Sequence, residues 1–328
     1  MIKTVMWRLL LAIPQLLGML TLVFALSQWL PGDPVTLMLG DQATQEDQQS
    51  LRAALHLDLP LFWNGEARPS AQAPAWHTHF SPVLETRYGW FWQDLLNGSL
   101  RSYRSQRPVV EVLGERYPAT LELGGLALLL ALGLGIPLGT LCAQKPGSTL
   151  DRLVLSLSLI GVSLPSFWLG PLLMMLFAIE LGWLPLSGRE QPQSVILPAL
   201  TLALGMAALL MRMARTSVLE TLGEDFVRTA RAKGLSGRGV LFRHALRASL
   251  IPLVTVVGLQ AGGLLSGSVI TEEIFGWPGL GRELLNAVRS RDFPMLQGCA
   301  MLLASTWVVI HLLTELIQAT LDPRIRLE

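Results

Sequence analysis

The sequence predicts an all-α membrane protein with six transmembrane helices and a large external segment between the first and the second. Three observations carry this prediction. Of the 328 residues, 51% are hydrophobic and 15% are charged, a balance that a water-soluble domain of this size rarely shows. Six apolar runs reach the length of about 20 helical residues that a hydrocarbon core of about 30 Å requires. Lys and Arg collect in the gaps on one side of those runs, as cytoplasmic loops do.

The first run, within 1–30, has the basic start of a signal peptide, with Lys3 and Arg8. It ends in Pro31-Gly32-Asp33-Pro34 without a small-x-small cleavage site, so it reads as a permanent helix. Residues 31–117 follow as the external segment. Within it, 41–59 spaces Leu51, Ala54, Leu55 and Leu59 for a short amphipathic helix. Residues 64–82, rich in Pro and Ala, read as an exposed loop, and 88–100 carry Trp90, Trp92, Leu95 and Leu96, an aromatic cluster suited to the membrane interface. His56, His77 and His79 invite a metal reading. No Cys or carboxylate stands at ligand spacing, and they read as ordinary loop residues.

The second run, 121–143, is opened by Tyr117-Pro118 and closed by Gln144-Lys145-Pro146-Gly147. The third, 153–181, is longer than a straight crossing needs and contains Pro165 and Pro171, which predict a kink or break. Runs 196–213, 250–270 and 296–319 complete the set, so a five-helix core spans 118–320 and a tail of 321–328 follows. An even number of crossings puts both termini on one side.

Charge orients the chain. Residues 212–247 carry Arg212, Arg215, Arg228, Arg231, Lys233, Arg238, Arg243 and Arg247 against Glu220, Glu224 and Asp225. Lys145, Arg152, Arg324 and Arg326 fall on the same side as Lys3 and Arg8, so both termini and a loop at about 214–249 are expected in the cytoplasm. Cys142 and Cys299 fall at opposite ends of their spans, too far apart for a disulfide, and read as small buried apolar residues. The net charge of +1 does not indicate nucleic acid.

Residues 223–252 form a basic, Gly-punctuated handle between two spans. Val218, Leu222, Phe226 and Ala230 recur every four residues as an apolar stripe, while Arg228, Arg231 and Lys233 project elsewhere. Gly234 ends this helix, and Ser236 caps a second one through Val240, Leu241, Ala245 and Leu246, with Pro252 just inside the next span. Helix, tight turn and helix make a rigid knob on which a soluble partner can grip the membrane part. Ala230 and Gly234 suit close approach, and the cations suit charge pairing. The rival reading is a surface helix touching lipid headgroups, which does not need a Gly-centred elbow.

Polar residues within the spans are candidates for a water-filled path: Thr201, Gln260, Ser266, His311, Thr314 and Glu315. His311 and Glu315 stand four apart on one helix and can instead pair with each other. Residues 271–282 combine Glu272, Glu273, Phe275 and Trp277 with three glycines. They read either as a re-entrant element lining an entrance or as an interfacial turn anchored by Trp277.

Arg-Thr-Ala-Arg-Ala-Lys-Gly-Leu at 228–235 resembles the cytoplasmic coupling motif of ABC importer permeases. The string continues through His244-Ala245-Leu246-Arg247 and Ile251-Pro252 in a way similar to the dipeptide, oligopeptide and nickel permease family. So do Leu30-Pro31-Gly32-Asp33-Pro34, Pro118-Ala119-Thr120-Leu121-Glu122-Leu123, Ser163-Leu164-Pro165-Ser166-Phe167-Trp168, the run 271–282 and the closing Asp322-Pro323-Arg324-Ile325-Arg326. Arg228 and Thr229 replace the Glu-Ala that opens the general importer motif, and Arg247 stands where many relatives have Pro. Both departures are shared by the peptide and nickel branch.

The resemblance implies a type I ABC importer permease of the bacterial inner membrane, paired with a second homologous permease. It also implies two cytosolic ABC ATPase subunits that hold ATP and Mg, an external substrate-binding protein, and no cofactor on this chain. Di- and oligopeptides are the implied cargo, with nickel or a nickel chelate as the alternative and an ATP-independent secondary transporter as a further one. Coupling falls to Arg228, Thr229, Ala230, Arg231, Lys233, Gly234 and Leu235, with Arg243 and His244 beside them. The candidate path residues are Thr201, Gln260, Ser266, Glu272, Glu273 and Trp277. The chain has no Gly-x4-Gly-Lys-Ser/Thr phosphate loop and no His-Glu-x-x-His, so it is expected to supply neither the ATPase nor a metallohydrolase.

Overall fold

The computed structural model describes residues 2–29, 33–40, 43–65 and 81–321, with the backbone alone at 2–9 and Leu37. His77, His79, most of the Leu30 to Pro34 motif and the tail from Asp322 lie outside the described residues. Among those described, the regular elements are helices, with one isolated antiparallel bridge between Arg101 and Pro108. In chain order they are α1 (Ile2–Gln28), α2 (Pro34–Leu39), α3 (Gln45–Ala54), α4 (Arg87–Asn97), α5 (Val109–Gln144), α6 (Thr149–Ser163), α7 (Ser166–Leu173), α8 (Ile196–Leu222), α9 (Asp225–Ala232), α10 (Leu246–Ile274), α11 (Leu280–Arg289) and α12 (Phe293–Leu321).

Five stretches are long and apolar enough to cross a membrane: Leu10–Gln28, Val109–Gln144, Pro192–Leu222, Gly237–Ile274 and Phe293–Leu321. A sixth crossing exists if Thr149–Ser163 and Ser166–Glu180, bent by 107°, are counted together. The expected break lies at Pro165. Proline disfavours the helical conformation in the residue before it, and Leu164 is extended with ψ 116°. Pro171 does not break α7, which passes into a wider π-helical stretch at Met174–Glu180. Pro118 does not open the second span either: α5 begins at Val109 and carries Pro118 and Pro137 inside it. Val109 and Val112 are buried, and their packing outweighs the hydrogen bond lost at Pro118.

The chain divides into two compact units. The first comprises Met1–Leu16, Arg116–Arg282 and Leu303–Glu328. Its core sets Leu123, Ala127 and Ala131 of α5 against Ala199, Ala203 and Met206 of α8. A Cβ on Gly135 would meet Ala207 O at 2.8 Å, and one on Gly139 would meet Met211 O at 2.3 Å. Gly135, Gly139 and Ala143, four apart, thus line the face on which α5 approaches α8. Gly258 and Gly262 of α10 receive Thr314 and Trp307 of α12 in the same way, at 2.3 and 2.7 Å. Lipid tails are as apolar as the side chains, so close contact between small residues, not burial from water, holds such helices together.

The second unit comprises Leu17–Glu115 and Glu283–Leu302. Asp33 caps α2 through Val35 N at 3.0 Å and is bridged by Arg52. Thr44 and Asp47 form a reciprocal capping box on α3. The amphipathic helix expected over 41–59 is confined to Gln45–Ala54; no residue of it is buried, so no packed stripe carries it further. His56 follows with φ +55° and stacks on Trp90 at 4.1 Å. Phe24 packs against Phe62, Tyr88 and Phe91 at centroid distances of 5.7, 5.3 and 5.4 Å. Asp292 accepts hydrogen bonds from Ser102 Oγ at 2.5 Å, Tyr103 N at 3.0 Å and Met295 N at 3.2 Å, so it caps α12 and holds the 102–104 loop. Cys142 and Cys299 are both buried, as expected of small apolar residues.

Candidate functional site

The basic handle is an elbow whose register differs from the expected stripe. α8 ends at Leu222, Glu224 is extended with ψ 150°, and α9 restarts at Asp225. This break rotates the residues after it. Phe226 is 46% exposed, whereas its neighbour Val227 is fully buried against Ala230, Val240 and Leu222. Val218, Leu222, Phe226 and Ala230 are therefore not one stripe, and Ala230 faces inward, where its small side chain lets α9 sit close to Val240.

Gly234 closes α9 with a paired set of hydrogen bonds: Gly234 N donates to Arg231 O at 3.0 Å and Leu235 N to Ala230 O at 3.4 Å. This is the Schellman arrangement, and it needs a left-handed residue. Gly234 has φ +81°, and a Cβ added there would meet nothing within 4 Å. Glycine is thus required for its backbone conformation, and no other part of this chain crowds it.

What stands outward is cationic with apolar flanks. The Arg228 side chain is 74% exposed and pairs with Asp225 at 3.3 Å. Thr229, Arg231, Lys233 and Leu235 are exposed beside it, with Phe242 nearby in the chain. Ser236 Oγ accepts Gly239 N at 3.2 Å, the expected cap. The second limb is not a separate helix. Gly237–Gly239 passes through a wide turn at Val240–Ala245 directly into α10, leaving Pro252 inside that helix. Arg243 and Arg247 are exposed on this limb and His244 is half-buried.

Two contacts clasp the elbow to the spans, and a third joins α8 to α6. Leu241 and Ala245 pack on Ala143 and Val218. Ser249 Oγ lies 3.0 Å from Ser217 O and 2.9 Å from Thr221 Oγ1. Arg215 of α8 grips Asp151 of α6 bidentately, Nε to Oδ1 at 2.6 Å and Nη2 to Oδ2 at 2.8 Å, while Gly147 N donates to Oδ2 at 2.8 Å. In the sequence Arg215 stands as one more cation of the loop, and Asp151 does not stand out. The available signal was Ser148 three residues before Asp151, a capping pair at a helix start, and Ser148 Oγ does accept Asp151 N at 3.2 Å.

In the turn at 271–282, Glu272, expected to line an entrance, and Trp277, expected as an interfacial anchor, both point into the unit. Trp277 is 1% exposed and donates Nε1–H to Ala119 O at 2.8 Å. Glu272 is fully buried and accepts from Thr120 Oγ at 2.8 Å and Arg282 N at 3.0 Å. Glu273 lies 3.6 Å from Arg282 Nε. Thr201 is buried and donates to Leu197 O at 2.8 Å, Gln260 is half-buried and Ser266 is exposed. His311 stacks on Trp307, and Thr314 donates to Ile310 O at 2.8 Å. The candidate path residues are therefore dispersed: Thr201, Glu272 and Trp277 turn into the unit, and Ser266 turns out of it.

Long apolar helices, one bent pair and a cationic elbow clasped between two spans define a membrane permease subunit. The chain belongs to the family described as binding-protein-dependent transport system inner membrane component, whose model matches residues 135–327. The dipeptide transport system permease protein DppB of Escherichia coli K12 is 37% identical over 359 residues, covering 99% of each chain. The glutathione transport system permease protein GsiC of Salmonella typhimurium LT2 is 38% identical over 326 residues, again covering 99% of each. Among solved structures, the inward-facing MetNI methionine ABC transporter matches with a TM-score of 0.57 at 19% identity, over 66% of this chain and 99% of that one, a likeness of fold. The protein is thus a multi-pass inner-membrane permease of the ABC importer class, a non-enzymatic subunit that works with ATPase and binding-protein partners.

Proposed function

We propose that this permease forms half of the translocation path for di- and oligopeptides delivered by an external binding protein. It pairs with a second homologous permease, and two cytosolic ATPases carrying ATP and Mg dock on the elbow within 214–249. Both termini and the elbow lie in the cytoplasm, and 31–117 lies outside.

The observation that carries this reading is the two-sidedness of α9. Val227 and Ala230 are locked inward while Phe226, Arg228, Thr229, Arg231 and Lys233 stand outward. A helix so clasped transmits a push from a docked partner into α8 and α10 together. Peptide cargo is supported by relatives of full length named for dipeptides and for glutathione, itself a short peptide; the nickel alternative is not favoured.

The test is uptake by the reconstituted transporter with Arg228→Glu and Arg231→Glu combined. The expected result is an assembled complex that binds ATP yet neither imports peptide nor raises its ATPase rate with loaded binding protein. Normal peptide uptake would overturn the docking role. Tight nickel binding by the cognate binding protein, without peptide binding, would overturn the cargo.

A further inference from the structure

The second unit contains a cavity of about 70 Å³, room for several water-sized groups at about 10–15 Å³ each. Phe24, Trp90, Phe91 and Phe293 supply apolar wall, and Arg87, Asp94 and Tyr103 reach it with polar groups. None of these belongs to the elbow or to the buried turn.

Arg87 is the unusual member. Its Nη1 donates to Gln28 Oε1 at 2.9 Å and its Nη2 to Leu57 O, but its buried Nε has no hydrogen-bond partner. It makes no ion pair among the described residues. Of the nearby carboxylates, Asp33 is engaged with Arg52, Asp94 with Ser99 Oγ at 2.6 Å and Asp292 with Ser102, while Asp58 is exposed to solvent and favours the Arg87 charge without forming an ion pair with it. Burial accordingly pushes the Arg87 guanidinium below its ordinary value. A half-buried cation without a carboxylate in direct contact is costly, and a bound anion relieves that cost. Tyr103 adds a neutral donor, since its hydroxyl has no partner among the described residues and is pushed up to about 12, by burial first and by Asp292 second.

From this geometry we infer that the cavity walled by Phe24, Trp90 and Phe293 is a binding site for a single carboxylate, received by Arg87 Nε–H and the Tyr103 hydroxyl. One cation and one neutral donor match a monoanion. A dianion would be left half-neutralised beside Asp94, and the aromatic wall suits a short carbon stem. The carboxylate belongs either to a free small acid or to an acidic side chain of a docked protein.

The test follows the thermal unfolding midpoint of the purified transporter while sodium acetate replaces sodium chloride at constant ionic strength and pH. The expected result is a saturable rise with acetate, because a ligand that binds only the folded state stabilises it. Arg87→Gln abolishes the rise. Tyr103→Phe keeps the ring and weakens the half-saturating acetate concentration by roughly tenfold, the worth of one hydrogen bond to a charged group. The phenylalanine variant decides the matter if Arg87→Gln does not assemble. Adding the external binding protein distinguishes the sources: loss of the acetate response assigns the site to a side chain of that protein, and an unchanged response assigns it to a free acid. Absence of any acetate effect in the wild type, or an equal effect in Tyr103→Phe, would overturn the site.

Discussion

Thr120 Oγ and Glu272 Oε1 meet at 2.8 Å inside the first unit, although 152 positions separate them in the chain. The same hydroxyl oxygen accepts Leu280 N at 2.8 Å, and the carboxylate accepts Arg282 N at 3.0 Å, so one pair ties α5, α10 and the start of α11. A Cβ on Gly279 or Gly281 would strike the Glu272 carboxylate at 2.4 or 3.0 Å. The glycines of this turn are the space the carboxylate occupies.

Removing the Thr120 hydroxyl leaves two buried partners unsatisfied. Thr120→Val is expected to cost about 1–3 kcal/mol of stability, read as a lower thermal midpoint in detergent. Thr120→Val combined with Glu272→Gln should cost less than the sum of the two, since they share an interaction. Strict additivity would show that they do not.

At Gly234 the requirement is conformational. Asn tolerates the left-handed region and a β-branched residue does not, so Gly234→Asn should retain most peptide uptake and Gly234→Val should lose it, both inserting normally. Equal loss in the two would mean that space decides.

The register of α9 can be read by truncation. Val227→Ala should cost about 1–2 kcal/mol by opening a cavity, while Phe226→Ala should leave stability within about 0.5 kcal/mol and impair ATPase docking instead. The reverse pattern in denaturation and pull-down measurements would restore the four-residue stripe.

Breaking the buried Asp151–Arg215 pair on one side leaves a lone charge. Arg215→Met should destabilise on the order of 3 kcal/mol, and adding Asp151→Leu should recover much of that loss. A thermal midpoint that falls further in the double variant would argue against the pair.

Tyr103 links stability to alkaline pH. A phenol with an ordinary value near 10 when unfolded, and about 12 when folded, favours folding fully below pH about 10. That contribution disappears as pH rises from about 10 to about 12. Tyrosinate absorbance should show a late step among the three tyrosines, and Tyr103→Phe should remove it. A Tyr103→Phe variant whose titration keeps that step would contradict the assignment.

Much of the fold was determined by the sequence alone, because a bilayer imposes conditions that are local. Each span needs length and apolarity, so the six runs are visible without knowing any contact, and Pro165 marks the broken one because its ring forbids the backbone it would need. Gly234 and Ser236 were equally legible, since a left-handed closing residue and a side-chain cap act within one turn. Tertiary structure alone decided which faces of these elements are used. A two-residue interruption at Gly223 and Glu224 was enough to exchange Phe226 for Val227 as the buried side chain, because a helix restart rotates every residue beyond it. The partners of Glu272, Trp277, Asp151 and Arg87 lie on segments remote in the chain, and their roles as clasp, pin and unbalanced cation exist only once packing brings those segments together.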